Sequence, residues 1–385
     1  MAAPQETFEE GTVPVASAKL RATLQDLENV RLDIAVTGGS GSGKSTFVNV
    51  IRGLGDEDQG SAKTGVVEII ADPTPYPHPK FPNVIIWDMP GVETPLMEAN
   101  KYLDKLLPSR YDFFLIMVSE RFTTSHAQLA CAIQDQGKPF YFIRSKVDID
   151  MAASRQRRPT TFSEEGVLCE IRAKCCTELE DEGVMDPEVF LLSMFELGKY
   201  DFQLLIEIIE KDMDSQKHHA FLVALPNVSQ AILEKKKDTL KQHIWLVATV
   251  ACSSNPQPVP GVKGVTCDLS QLMRSLDTYR RSFGLDSTSL CKLAQQTGQP
   301  LRVMQSAILG PSTEVTEAQV IELLAEATHG PTGVFAKELS SVPVLGVVAS
   351  CGYSFAVVYQ MLRTYLTGAA KNAQRVIKRA FHSSL

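Results

Sequence analysis

Gly38-Gly39-Ser40-Gly41-Ser42-Gly43-Lys44-Ser45 sets glycine backbone, an ammonium group and hydroxyls side by side, directly after the apolar run Leu32-Asp33-Ile34-Ala35-Val36. In the pattern G-x-x-x-x-G-K-[ST], glycines let backbone N–H groups crowd around a β-phosphate, the lysine reaches the β- and γ-phosphates, and the final hydroxyl ligates Mg2+. A helix opening at Lys44, with Phe47, Val48, Ile51 and Leu54 on its apolar side, adds its positive end to the cradle. Gly38, Gly39, Ser40, Gly41, Ser42, Gly43, Lys44 and Ser45, with Thr46 beside them, are therefore candidate nucleotide-binding residues. Lys44 and Ser45 are also candidates for catalysis, and Ser45 for the metal. The loop does not identify the base.

Base identity has its own candidate. Pro139-Phe140-Tyr141-Phe142-Ile143-Arg144 reads as a buried strand that ends in Ser145-Lys146-Val147-Asp148 and resembles the N/T-K-x-D element of GTPases. A carboxylate at Asp148 can accept from both N1–H and the exocyclic amine of guanine while the stem of Lys146 lies along the ring; adenine offers no such donor pair. Between the two motifs, Val84-Ile85-Ile86-Trp87-Asp88-Met89-Pro90-Gly91 is an apolar run ending in D-x-x-G. There Asp88 can hold the metal through water and the Gly91 N–H can sense the γ-phosphate. The three motifs come in order, each at the carboxyl end of a strand, which is where doubly wound sheets bind ligands.

Those ends need a parallel α/β frame. Val66 to Ala71, Asn83 to Asp88, Tyr111 to Val118, Pro139 to Arg144 and Glu188 to Ser193 are strand-like, separated by helical stretches such as Leu96 to Leu107 and Ser163 to Glu182. After Met213 the β pattern stops. Helix-length segments follow around Asn227 to Ala251, Asp268 to Phe283, Thr316 to Ala327 and Pro343 to Leu366, broken at the proline-rich run from Asn255 to Gly261, at Gly310-Pro311 and at Gly330-Pro331. Ahead of the sheet, Val15 to Val30 aligns Leu20, Leu24 and Leu27 on one helical stripe that needs a partner. The division expected is an N-terminal helical segment over 1–30, a nucleotide domain over 31–213 and an all-helical domain over 214–385.

Composition narrows the class. The chain has 385 residues, 44% hydrophobic and 22% charged, enough for about two domains. Its eight cysteines form no C-x-x-C pair and its seven histidines have no metal spacing, so with no secretory signal read at the N-terminus a reducing, cytoplasmic setting is expected. A formal charge of −7 argues against general nucleic-acid binding.

Beyond the three motifs, Thr64-Gly65-Val66-Val67-Glu68, the run Thr74-Pro75-Tyr76-Pro77-His78-Pro79, Val259-Pro260-Gly261 and Phe283-Gly284-Leu285-Asp286 make nearly the whole chain resemble the vertebrate immunity-related GTPases. The resemblance implies a Ras-like P-loop GTPase domain with a mostly parallel, doubly wound sheet, plus an all-helical domain formed by the N-terminal and C-terminal helices. It also implies interferon-inducible proteins that bind GTP and GDP with Mg2+, self-assemble in a dynamin-like way and act peripherally at intracellular membranes. Lys44, where a regulatory branch carries methionine, resembles the effector branch. Ser193 sits where the last base-contacting loop is expected, though a strand-end serine reads the same way. Glu68 matches a glutamate implied in catalysis and is equally consistent with a solvated strand face. The switch threonine expected two residues after Glu68 is Ile70, so hydrolysis is expected to be slow unless Thr64 or Thr74 replaces it.

Val92 stands where many small GTPases carry a water-positioning glutamine. The resemblance implies help from a second molecule across the nucleotide face, hence a homo-oligomer whose hydrolysis rises with concentration. A nucleotide-gated binding module with little turnover is the competing reading, and a general ATPase is disfavoured by Asp148.

Membrane contact has several candidate origins. Val342 to Leu362 has no charged residue but reads better as a buried helix, and Ala2 removes the glycine that myristoylation needs. After Glu338 there is no Asp or Glu, and a helix from about Gly368 to Phe381 brings Lys371, Arg375, Lys378 and Arg379 broadly together. That basic helix either binds an anionic leaflet or packs its apolar side into the helical domain.

Overall fold

The computed structural model of the chain describes residues 13–65, 72–92, 110–310, 314–329 and 345–381. They fall into two compact units, Val30–Val228 and a second made of the chain up to Asn29 and from Ser229 on. Helix α1 (Val13–Asn29) belongs to the second unit and buries Leu20, Leu24 and Leu27, the stripe expected from the sequence, together with Ala16.

The first unit is built on a six-stranded sheet. Its elements in chain order are β1 (Leu32–Gly38), α2 (Lys44–Ile51), β2 (Thr74–Pro77), β3 (Val84–Asp88), β4 (Phe113–Val118), α3 (Thr124–Asp135), β5 (Phe140–Arg144), α4 (Val147–Arg157), α5 (Glu164–Asp181), β6 (Val189–Leu191), α6 (Phe202–Asp212) and α7 (Ser215–Ala224). The strand order is β2-β3-β1-β4-β5-β6, parallel except for β2, which runs antiparallel to β3. Every residue of β1 and β4 is buried, as continuous apolar runs covered by helices on both faces require. On one face Phe114, Ile116, Trp87 and Phe142 pack with Leu129, Ile133 and Leu179. On the other, Phe113, Leu115, Ile34 and Ile86 meet Phe47, Ile51, Phe202, Ile206 and Phe221 around a small apolar cavity.

Register aligns the chemistry. Val36 pairs with Asp88, Gly38 with Met117, Val118 with Arg144 and Arg144 with Leu191, so the phosphate loop, D-x-x-G and the base-side motif leave the sheet along one edge.

The expected second boundary, after Met213, moves to Val228. Helix α7 stays with the sheet because Phe221 packs edge-on against Phe113 at 5.9 Å and Lys217 pairs with Asp112 at 2.6 Å. The expected strand Val66 to Ala71, with Glu68 and Ile70, and the expected helix Leu96 to Leu107 lie outside the described residues.

The second unit contains α8 (Gln230–Gln242), α9 (Ile244–Ser253), β7 (Gln257–Pro258), β8 (Thr266–Cys267), α10 (Leu269–Ser282), α11 (Ser287–Thr297), α12 (Leu301–Ser306), α13 (Glu317–Ala327) and α14 (Leu345–Phe381). Helix α9 is buried almost all round, from Ile244 to Cys252, and forms its centre. Three expectations are corrected here. Asn227 to Ala251 is two helices meeting at His243; the proline-rich run opens a two-stranded ribbon within an otherwise helical unit; and the last two expected helices are one, interrupted at Gly352 (φ 48, ψ −123). Only glycine takes that backbone conformation cheaply.

Candidate active site

The phosphate loop springs from β1 at Gly38, whose φ of 129 lies in the region that favours glycine. Its close neighbour is the Met117 carbonyl, which also accepts from the Gly39 N–H at 3.1 Å. The loop turns left-handed again at Gly41 and at Gly43, the residue that caps α2. Lys44 is buried, and its Nζ donates to the carbonyls of Gly39 at 2.9 Å and Gly38 at 3.3 Å. The ammonium is thus folded over the loop whose amides form the phosphate cradle. The Ser42 hydroxyl is buried with no hydrogen-bond partner among the described residues.

From the loop the site extends in two directions. Toward β3, Ser45 Oγ donates to Asp88 Oδ2 at 2.6 Å, and Asp88 is fully buried. A hydroxyl and a carboxylate held this close are hard oxygen donors of the kind Mg2+ takes, and they would hold the cation directly and through water. Beyond Asp88, Met89 N–H donates to the Val36 carbonyl at 3.0 Å and Val92 N–H to that of Gly38 at 3.1 Å, which brackets Gly91 against the phosphate loop.

Toward β5, Ser145 Oγ lies 2.6 Å from the Ser42 carbonyl and 3.0 Å from that of Val118, tying the base-side motif to the phosphate loop. Lys146 is exposed and left-handed (φ 60, ψ 29), unusual outside glycine, and it caps α4, in whose first turn Asp148 sits half-buried. The Val147 N–H donates to the Leu192 carbonyl at 3.3 Å and the Leu192 N–H to that of Arg144 at 2.9 Å, drawing Ser193 to the same edge. The Ser193 hydroxyl accepts from the amides of Phe195 at 3.3 Å and Glu196 at 3.2 Å, so it caps its own turn.

The sequence reading missed Arg144. It is buried, donates to the Ser145 carbonyl and pairs with Asp150 at 2.6 Å, fixing the bend that presents Lys146. A cation ending an apolar strand was the available signal.

The basic tail belongs to the second unit. On α14, Lys371, Arg375, Lys378 and Arg379 are exposed, while Ala369, Ala370, Ala373, Val376 and Ala380 are buried. The apolar side is therefore used within the protein. No helix among the described residues is long and apolar enough to cross a membrane.

The sequence pattern of the family described as Interferon-inducible GTPase (IIGP) matches residues 3–380. Interferon-inducible GTPase 5 of Rattus norvegicus is 43% identical over 370 residues, 96% of this chain and 80% of its own length. Interferon-gamma-inducible GTPase 10 of Mus musculus is 35% identical over 378 residues, 97% of this chain and 88% of its own. A GTP-binding protein of Sulfolobus solfataricus solved with GDP is similar at a TM-score of 0.29 and 16% identity, covering 51% of this chain and 55% of that one. The chain belongs to the interferon-inducible GTPase family, a GTP-binding, GTP-hydrolysing protein with an immunity-related role.

Proposed function

We propose that the chain holds GTP with Mg2+ at this sheet edge, hydrolyses it in assemblies formed across the nucleotide face, and acts reversibly at intracellular membranes. The observation that carries the reading is the pair of 2.6 Å contacts, Ser45 to Asp88 and Ser145 to the Ser42 carbonyl, which draw three motifs around one loop. Backbone amides from Gly39 to Ser45 and the positive end of α2 stabilise the phosphates. Lys44 swings from its carbonyl partners to the β- and γ-oxygens, a charge-assisted exchange. Gly91 offers its N–H to the γ-phosphate, and Lys146 and Asp148 select guanine. Mg2+, when bound by Ser45 and through water by Asp88, neutralises charge that develops on the phosphates. The membrane role rests on the four exposed cations of α14, and it is electrostatic in kind because the apolar side of that helix is buried.

A hydrolysis series with GTP and ATP over a range of protein concentrations tests this reading. We expect turnover of GTP alone, a rate per molecule that climbs with concentration, and loss of the guanine preference in Asp148→Asn. Equal use of the two nucleotides would sink the base assignment, and a flat specific activity would sink assembly across the nucleotide face.

A further inference from the structure

Among the described residues, the metal side of the site has an oxygen donor that the three motifs do not include. In the β2–β3 ladder Thr74 stands directly opposite Asp88, and Tyr76 opposite Ile86. Directly opposed residues of antiparallel strands share a face, with Cβ atoms about 5 Å apart. The Thr74 side chain therefore lies on the face of the sheet where Asp88 meets Ser45.

Independent contacts identify that face as the one under α2. Ile86 packs with Phe47 and Ile51 of α2 around the apolar cavity. Arg52, which caps the far end of α2, lies 5.2 Å from the centre of the Tyr76 ring and donates from Nε to the Pro77 carbonyl at 3.1 Å. The Tyr76 hydroxyl is pushed up in pKa, by burial first and then by the negative charge of Asp88. So α2 grips β2 at one end through Arg52 and joins β3 at the other through Ser45, with Thr74 held in register between them. Pro75 restrains the backbone of Thr74 to extended conformations. The Thr74 hydroxyl donates to the Asp72 carbonyl at 3.0 Å, a local, exposed bond that one χ1 step can exchange for another acceptor.

Mg2+ usually keeps several waters in its octahedral shell, and groups that hydrogen-bond those waters or the ligating carboxylate tune its affinity. We propose that Thr74 is a positioning residue for Mg2+, its hydroxyl holding a metal-bound water or the Asp88 carboxylate across the β2–β3 ladder. This rests on the reading that Ser45 and Asp88 hold the cation, and it gives the chain a hydroxyl on the switch side, where Ile70 has none.

The test uses the full chain loaded with a fluorescent, non-hydrolysable GTP analogue, with analogue release followed over a Mg2+ titration. Thr74→Val keeps the β-branched shape and removes the hydroxyl. It is expected to raise the half-effective Mg2+ concentration about ten-fold, while Thr74→Ser stays near the unmodified protein. A Thr74→Val curve that overlays a normal titration of the unmodified protein overturns this inference alone. An unmodified protein whose analogue release ignores Mg2+ overturns the Ser45–Asp88 reading and this inference with it. If Thr74→Val melts early without Mg2+, Thr74→Ala against Thr74→Ser carries the same comparison with the same two outcomes.

Discussion

At Gly38 a hydrogen atom stands where any side chain would strike the neighbouring strand: an ideal Cβ falls 1.9 Å from the Met117 carbonyl oxygen. Gly41 has the same kind of backbone, with φ 70, but nothing within 4 Å of its Cβ position. The two glycines separate two physical reasons for the same residue. Gly41→Ala carries only the left-handed penalty, about 1 kcal/mol. Gly38→Ala adds an overlap with backbone that cannot move without opening the β1–β4 pairing, on the order of 3 kcal/mol or more. Thermal melting is expected to rank Gly38→Ala far below Gly41→Ala, with nucleotide binding lost in the first and weakened in the second. Equal melting temperatures would show that the Met117 contact does not shape the loop.

At the scale of elements, β2 is an edge strand that carries its own protection. His78 N–H donates to the Val84 carbonyl at 2.8 Å, and in the alternation of an antiparallel ladder the residues one and three places before it turn their N–H groups away from β3. Those residues are Pro77 and Pro75, both exposed, which have no N–H to offer. The prolines cost the β2–β3 pairing nothing and deny the outer edge to another strand. Replacing both with valine restores two outward donors in a strand-favouring sequence. Light scattering of nucleotide-free protein should rise with concentration for the double valine variant and stay low for the unmodified chain; equal scattering would remove the edge-protection argument. The sequence alone does not reveal this role, because the meaning of each proline depends on its ladder position. The same limit separates what was legible from what was not. Strand ends were legible at Asp88 and Arg144, since an apolar run covered on both faces must stop where polar chemistry starts, while β1 runs two residues past the expected Val36 to Gly38. The allegiance of α7 was not legible, because it is decided by Phe221 against Phe113 and by Lys217 with Asp112, partners about a hundred places apart in the sequence. Nor was the role of Arg144, which needs Asp150 folded back beside it.

For the whole molecule, an acidic chain reaches an anionic surface only through a local reversal of sign. The formal charge is −7, yet no Asp or Glu follows Glu338, and Lys371, Arg375, Lys378 and Arg379 are all exposed on α14. Each cation near an anionic leaflet contributes about 1 kcal/mol, so under the proposed membrane role the four together would support attachment that is reversible and lost as salt shortens the range of the interaction. Insertion adds nothing, since Ala369, Ala370, Ala373, Val376 and Ala380 are buried in the protein's own second unit. That burial also decides which experiment is informative. Cutting the chain after Thr367 removes those core alanines and Val376 together with the cations, so lost vesicle binding would report a damaged unit as readily as a lost surface. Changing the four cations to glutamine keeps the helix and its packing. The glutamine variant is expected to melt and bind GTP as the unmodified chain does, and to lose sedimentation with phosphatidylserine vesicles at low salt. Sedimentation that persists in that variant, or that ignores salt in the unmodified protein, would take the membrane role away from α14.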